Sequence, residues 1–211
     1  MNRRKFLGLA LGATLGSAAI GSALARPGLA DEEAQDIALA GAGPIRFPDV
    51  VLRTQDGEEV RFYDDLIKGK IVVISFIPSS DDHYGHLAVA NLKQLQKVLG
   101  QRVGPDIFIY TITLDPDLDS PELLAGYARE FQAEPGWLFL TGEKAQIESL
   151  RQFFGIPFPD PLAADGDQHI GIVWWGIEPL GRWAASPALM DPREIARHIS
   201  WAEPDGERPS F

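Results

Sequence analysis

The sequence predicts an α/β protein, a three-layer sandwich that opens with a β-hairpin. Three observations predict it. Ile71-Val72-Val73-Ile74-Ser75-Phe76-Ile77 is an unbroken apolar, β-branched run of the kind that fills a buried strand, and a polar turn and an amphipathic helix follow it. Further apolar strands then alternate with segments of helical periodicity, as in folds where helices cover a largely parallel sheet. Hairpin signals at Asp56-Gly57 and at Glu178-Pro179-Leu180-Gly181 add antiparallel strands at either end of the unit.

In order, Phe47-Pro48-Asp49-Val50-Val51-Leu52 and Glu59-Val60-Arg61-Phe62 flank the Asp-Gly turn and form the first hairpin. Tyr63 to Lys70 makes a short turn of helix before the buried strand. The turn after that strand spans Pro78 to His86, and a helix begins near Leu87. Leu87, Ala90, Leu92, Leu95, Val98 and Leu99 recur at helical spacing, and Gly100 stops the helix. Asp106 to Leu114 is long enough for a central strand, joined to the first by a crossover expected to be right-handed. Ser120-Pro121-Glu122 starts a helix with proline in the first helical position, carrying Leu123, Leu124, Tyr127 and Phe131 inward. Trp137 to Leu140 is a short strand, and Lys144 to Phe154 a helix closed by Gly155. Proline at 157, 159 and 161 keeps the next stretch out of helix. Ile170 to Ile177 and Arg182 to Ala184 pair as a second hairpin, and Asp191-Pro192-Arg193-Glu194 caps a last helix running to Trp201.

The organisation expected is a leader over 1–25, a flexible spacer over 26–45, one domain over 46–203 and a polar tail over 204–211. Met1-Asn2-Arg3-Arg4-Lys5-Phe6-Leu7 pairs two arginines ahead of a mild, glycine- and alanine-rich run, and Ala23-Leu24-Ala25 offers a small-x-small cleavage site. This is the pattern of a twin-arginine export signal, so a periplasmic protein is expected, with no stable membrane span after cleavage and membrane anchoring if the signal is retained.

With 19 Lys plus Arg against 30 Asp plus Glu, the chain carries a net charge of -11. The leader contributes only positive charge, so the remainder is more acidic still. Such a surface repels phosphate, which excludes nucleic acid as a partner. There is no cysteine, although disulfides would be permitted in an oxidising compartment.

The strand, turn and helix from Val73 to Leu92 resemble the first strand, loop and helix of the Sco/SenC family. Thr111-Ile112-Thr113-Leu114-Asp115-Pro116, Asp119-Ser120-Pro121, Tyr127-Ala128 and Gly136-Trp137-Leu138-Phe139-Leu140-Thr141-Gly142 resemble a second family segment. Asp167-Gln168-His169 falls where the family keeps its copper-binding histidine. The resemblance covers roughly residues 47 to 185. It implies a thioredoxin-like (glutaredoxin/peroxiredoxin-type) sandwich, a role in carrying copper to cytochrome oxidase, and a respiratory-oxidase or other periplasmic protein as partner.

Where the family carries two cysteines four positions apart, this chain has Asp81 and Gly85. A thiolate copper site and thiol exchange are therefore excluded. What remains at that turn is imidazole and carboxylate, donors that suit Cu(II), Zn(II) or Ni(II). The candidate metal ligands are Asp81, His83, His86 and His169, the last approaching the turn if the resemblance holds. Asp167 or Asp165 is a candidate second partner for His169, and Asp115, at a strand end, is either a supporting carboxylate or the cap of its own turn. Copper without thiolate ligands is one cofactor this pattern allows.

Other chemistries fare worse. Asp81-Asp82 fits a helix N-cap better than an acid–base pair, and there is no Ser-His-Asp order, phosphate-binding glycine loop or zinc-protease spacing. A peroxide-directed enzyme on this scaffold would lack its nucleophilic sulfur, so the chain is not expected to be an enzyme. A metal-free scaffold or regulatory module with a degenerate site is the alternative. Of Trp174 and Trp175, adjacent on a strand, one is expected in the core and the other is a candidate exposed docking point. His198, on the last helix, is expected at the surface.

Overall fold

Alternating burial makes the first two strands. Val51–Thr54 (β1) turns Leu52 and Thr54 inward, and Glu59–Arg61 (β2) returns beside it with Leu52 opposite Val60. The Thr54 hydroxyl accepts from the amides of Asp56 and Glu58, and Gly57 supplies the positive φ of +82° that the turn needs. A computed structural model describes residues 45–77, 83–156 and 171–206, giving side chains except at 83 and 84. All of these lie in one compact unit, Pro44–Phe211.

One π-helical turn, Phe62–Ile67, buries Phe62, Leu66 and Ile67 and leads into Ile71–Ile77 (β3). The helix after β3, His83–Leu99 (α1), starts four residues earlier than its sequence suggests. The first turn of a helix has no intrahelical acceptors for its amides, so polar residues are at home there and polarity does not mark the boundary. The inward stripe of α1 is Ala88, Val89, Leu92, Leu95 and Leu99, whereas Leu87 and Val98 are exposed. Ile107–Thr113 (β4), Pro121–Glu130 (α2), Trp137–Gly142 (β5) and Lys144–Phe153 (α3) follow. Ser120 caps α2 by accepting from the amide of Leu123, whose side chain faces solvent while Leu124 and Phe131 are buried. Leu123 was expected inward; one step of 100° from Leu124 takes it off the buried stripe. Ile172–Ile177 (β6), Arg182–Pro187 (β7) and Pro192–Ala202 (α4), capped by Asp191, complete the unit.

The seven strands form one sheet in the order β2-β1-β5-β4-β3-β6-β7, with β3, β4 and β5 parallel and all other pairs antiparallel. The period of two along β3 sends Val73 and Ile77 to one face and Val72, Ile74 and Phe76 to the other. On the first face Leu92 and Leu95 of α1, Leu124 of α2, and Ile195 and Ile199 of α4 cover the sheet; on the second, the π-helical turn and α3 cover it through Phe62, Leu66, Ile147 and Leu150. The result is the three-layer α/β sandwich. Among the described residues no helix is long and apolar enough to cross a membrane.

The tryptophan pair splits between the two cores. Trp175 is buried and donates to the Ser186 hydroxyl at 3.1 Å, while Trp174 is half-buried on the other face with its ring 5.7 Å from Phe154. Neither is the exposed docking ring the sequence allowed for, because Trp175 packs against His198 of α4 and Trp174 against Phe154 at the end of α3. His198 is half-buried too, with its ring 6.4 Å from Trp175 and 5.5 Å from Trp201.

Two glycines let neighbouring loops touch at the amino ends of β4 and β5. Gly104 and Gly136 have φ of +98° and +96°, and a Cβ on Gly136 would fall 2.3 Å from the Gly104 nitrogen. The Gly136 carbonyl accepts from the Ile109 amide at 2.8 Å, so the contact also fixes the register of the two parallel strands.

Ahead of β1, the Phe47 ring lies 5.7 Å from Tyr63, 5.1 Å from Phe153, 5.0 Å from Trp183 and 6.1 Å from Phe62. Phe47→Ala is expected to cost about 2 kcal/mol, less than a fully buried ring because this one is half-exposed. Urea denaturation checks it, and a loss below about 0.5 kcal/mol would show that the four rings close up without it.

Candidate functional site

The parallel strands β3, β4 and β5 all end at one edge of the sheet, at Ile77, Thr113 and Gly142. Because β6 runs antiparallel to β3, with Val173 opposite Ser75, it enters from that same edge. The end of β3, the loop after β4 and the start of β6 therefore lie at one edge, as expected of an open α/β sheet whose chemistry lies beyond the carboxyl ends of its strands.

Contacts on the described side of each segment are close. A Cβ built on Gly171 would lie 3.9 Å from Cβ of Ala88 in α1 and 3.1 Å from that of Ala188. The Ala188 amide donates to the Gly171 carbonyl, and the Asn91 side-chain amide donates to the carbonyls of Ala188 at 2.7 Å and Met190 at 2.8 Å. Asn91 thus ties α1 to the strand exit beside β6. The start of α1 and the start of β6 are held together by a polar clasp and two small residues.

Of the expected ligands, Asp81 and His169 lie outside the described residues, as do Asp165 and Asp167, and the His83 side chain is not described. Gly85, one of the two positions where the family has cysteine, is buried in the first turn of α1. His86 is exposed on the same turn. Its Nε2 stands 3.8 Å from Oε1 of Glu130, and its ring centroid is 4.8 Å from that of the buried Phe131, both at the end of α2. Among the described residues no three histidine or acidic side chains are grouped closely enough to hold a metal.

Asp115 organises its own loop. Its amide donates to the Thr113 hydroxyl, and its carbonyl accepts from the amides of Leu118 and Asp119, so the backbone closes this turn. The residue that reading the sequence missed is Asp119. It is 1% exposed and accepts a hydrogen bond from Thr113, while the Trp137 ring nitrogen donates to Thr111 one layer below. The spacing of Thr113 and Asp119, six residues apart across a proline turn, was the signal available.

Beside this loop a cleft of about 550 Å³ runs between β1, the start of α2 and the start of α3. Arg53 and Lys144 line it together with Glu59, Asp117, Asp119 and Glu143, so its walls carry two cations against four carboxylates. Lys144 donates to Asp117 at 2.6 Å, and that bond holds the ammonium above its ordinary pKa.

A family model described as SCO1/SenC matches residues 48–171, more than half of the chain. A protein of Stutzerimonas stutzeri described as a candidate copper-binding protein is 28% identical over 124 residues, which cover 56% of this chain and 57% of that relative's length. Among solved structures, yeast Sco1 with copper bound is similar at 20% identity with a TM-score of 0.58, covering 77% of this chain and 92% of that one. BsSco, described as a member of the Sco family of cytochrome c oxidase assembly proteins with a disulfide switch, is similar at 22% identity with a TM-score of 0.59, covering 75% and 94%. These structures share the thioredoxin-like sandwich. From the matched motifs and the architecture that carries them, the chain belongs to the SCO1/SenC family.

Proposed function

We propose that this chain is an exported accessory protein in copper handling or respiratory-oxidase assembly that works without thiol redox chemistry, taking Cu(II) as cargo through imidazole and carboxylate. The observation that carries the reading is the juxtaposition of Gly171 and Ala88, which sets the start of β6 beside α1. Family membership supports the copper and oxidase connection, as do the copper binding and oxidase assembly named for the relatives. With no cysteine in the chain, the donors left at this edge are of the harder kind, and they favour Cu(II) over Cu(I).

Calorimetric titration of the metal-free protein, without its first 25 residues, with Cu(II) and Zn(II) tests this. One-to-one Cu(II) binding with submicromolar Kd is expected, tighter than Zn(II), and weakened at least about tenfold by His169→Ala, which corresponds to about 1.4 kcal/mol. Absent binding, or binding indifferent to His169, would overturn the metal reading and favour a scaffold acting by protein contact alone.

A further inference from the structure

We propose that the free edge of β7 is a pairing surface for a second copy of this chain, joined antiparallel about a twofold axis at Ala184. The inference is independent of the proposed cargo. The Ala188 amide donates to the Gly171 carbonyl, so these two residues form a facing, hydrogen-bonded pair. In an antiparallel ladder such pairs alternate with pairs whose backbone groups point away from each other. By the register, Arg182, Ala184 and Ser186 bond to β6, while Trp183, Ala185 and Pro187 turn their backbone groups outward. That side of β7 is an edge of the sheet. Proline has no N–H, and the Pro187 carbonyl already accepts from the Met190 amide. The amides and carbonyls of Trp183 and Ala185 are left, and nothing among the described residues engages them.

The opposite edge of the sheet is guarded. There β2 has three residues, its end residues Glu59 and Arg61 are charged, and the outward Arg61 amide is taken by the Asp65 carboxylate at 2.8 Å. Short, charged edges discourage strand addition. By contrast β7 has six residues, and its one charged side chain, Arg182, is turned to the Ala202 carbonyl of α4.

The outward residues flank Ala184 symmetrically, which makes a second copy the occupant. An axis there sets Trp183 opposite Ala185 of the second copy, and Ala185 opposite the second copy's Trp183. Every outward amide then meets a carbonyl. Side chains agree with this register. The half-buried Trp183 ring comes beside the small, exposed Ala185, and Arg182 faces Ser186 rather than another arginine. In a chain of net charge -11, β7 carries no acid, so two copies approach along it with little repulsion. Antiparallel pairing points the edges where β6 starts in opposite directions, and each copy keeps its own.

Sedimentation velocity from about 5 µM to about 500 µM reads the association. A monomer–dimer equilibrium is expected, with Ala185→Pro raising the dimer dissociation constant at least about tenfold, because each copy loses a donor at the seam. The Ala185 amide takes no part in the ladder to β6, so proline is compatible with the fold at this edge position. Hydrogen exchange of the unaltered protein gives a reading that needs no variant. The amides of Trp183 and Ala185 should slow at least about tenfold between dilute and concentrated samples, while that of Glu59, on the guarded edge, keeps its rate.

A protein that stays monomeric over this range, a dimer indifferent to Ala185→Pro, or exchange at Trp183 and Ala185 that ignores concentration would each overturn the pairing. A monomer whose Trp183 and Ala185 amides are protected only by a strand of a different protein would assign the edge to that protein and overturn self-pairing as well.

Discussion

Gly136→Ala is expected to cost about 4 kcal/mol and to lower the melting temperature by roughly 8–16 °C. Two separate penalties combine. A φ of +96° strains any residue with a Cβ by about 1–3 kcal/mol, and the new methyl would sit 2.3 Å and 2.4 Å from the backbone of Gly104, which cannot rotate away as a side chain would. The loop has to shift, and the Ile109 amide then loses its acceptor on Gly136. Gly57→Ala is the control. Gly57 has a φ of +82° but nothing within 4 Å of a new Cβ, so it should show only the conformational penalty, about 1–2 kcal/mol. Denaturant unfolding of both variants separates the terms. Equal losses in the two would mean that the Gly104 contact opens without cost.

Asp119→Ala is expected to cost about 3 kcal/mol and to loosen the loop after β4 selectively. The Thr113 hydroxyl stands between two groups, donating to the buried Asp119 carboxylate and accepting from the Asp115 amide, so one carboxylate orients the hydroxyl that anchors the start of the turn. Hydrogen bonds to charged acceptors contribute about 1.5–3 kcal/mol, and removing the carboxylate also leaves space in a buried site. Asp119→Asn keeps an acceptor of the same shape and should lose roughly half as much. Hydrogen exchange at the amides of Leu118 and Asp119, both donating to Asp115, should accelerate well beyond the change at β4 itself. Uniform acceleration across the sheet would instead make Asp119 an ordinary core residue with no special hold on the loop.

Most of the fold is legible in the chain because its signals are local. The run from Ile71 to Ile77 is a strand with those bounds, Ser120 and Asp191 cap the helices they precede, and Gly100, Gly155 and Gly181 take the positive φ their positions suggest. What escapes reading depends on partners distant in sequence. The Gly104–Gly136 contact joins loops 32 positions apart, and nothing near either glycine announces the other. The facing of Leu87, Val98 and Leu123 is ambiguous because each borders a buried stripe, and only the angle at which the helix meets the sheet decides its side. His198 likewise lies between two tryptophans, one of them on a strand that its own helix does not adjoin in sequence.

The candidate site is legible in part. The family resemblance implies that the turn after β3 faces the stretch before β6, and the register puts the end of β3 and the start of β6 at one edge. His86 stands out in the sequence for its residue type and its place in the turn where the family has its cysteines. Its neighbours Glu130 and Phe131 come from a different helix, 44 and 45 positions on, and no periodicity within α1 points to them.

The ring cluster around Phe47 has a mechanical meaning. It fastens the chain to Trp183, which pairs with Gly176 opposite Val72 near the start of β3, while the loop after β4 begins at the end of that strand pair. Tension arriving from the residues just ahead of Phe47 would be taken up by this ring cluster rather than by the loop that Asp115 closes.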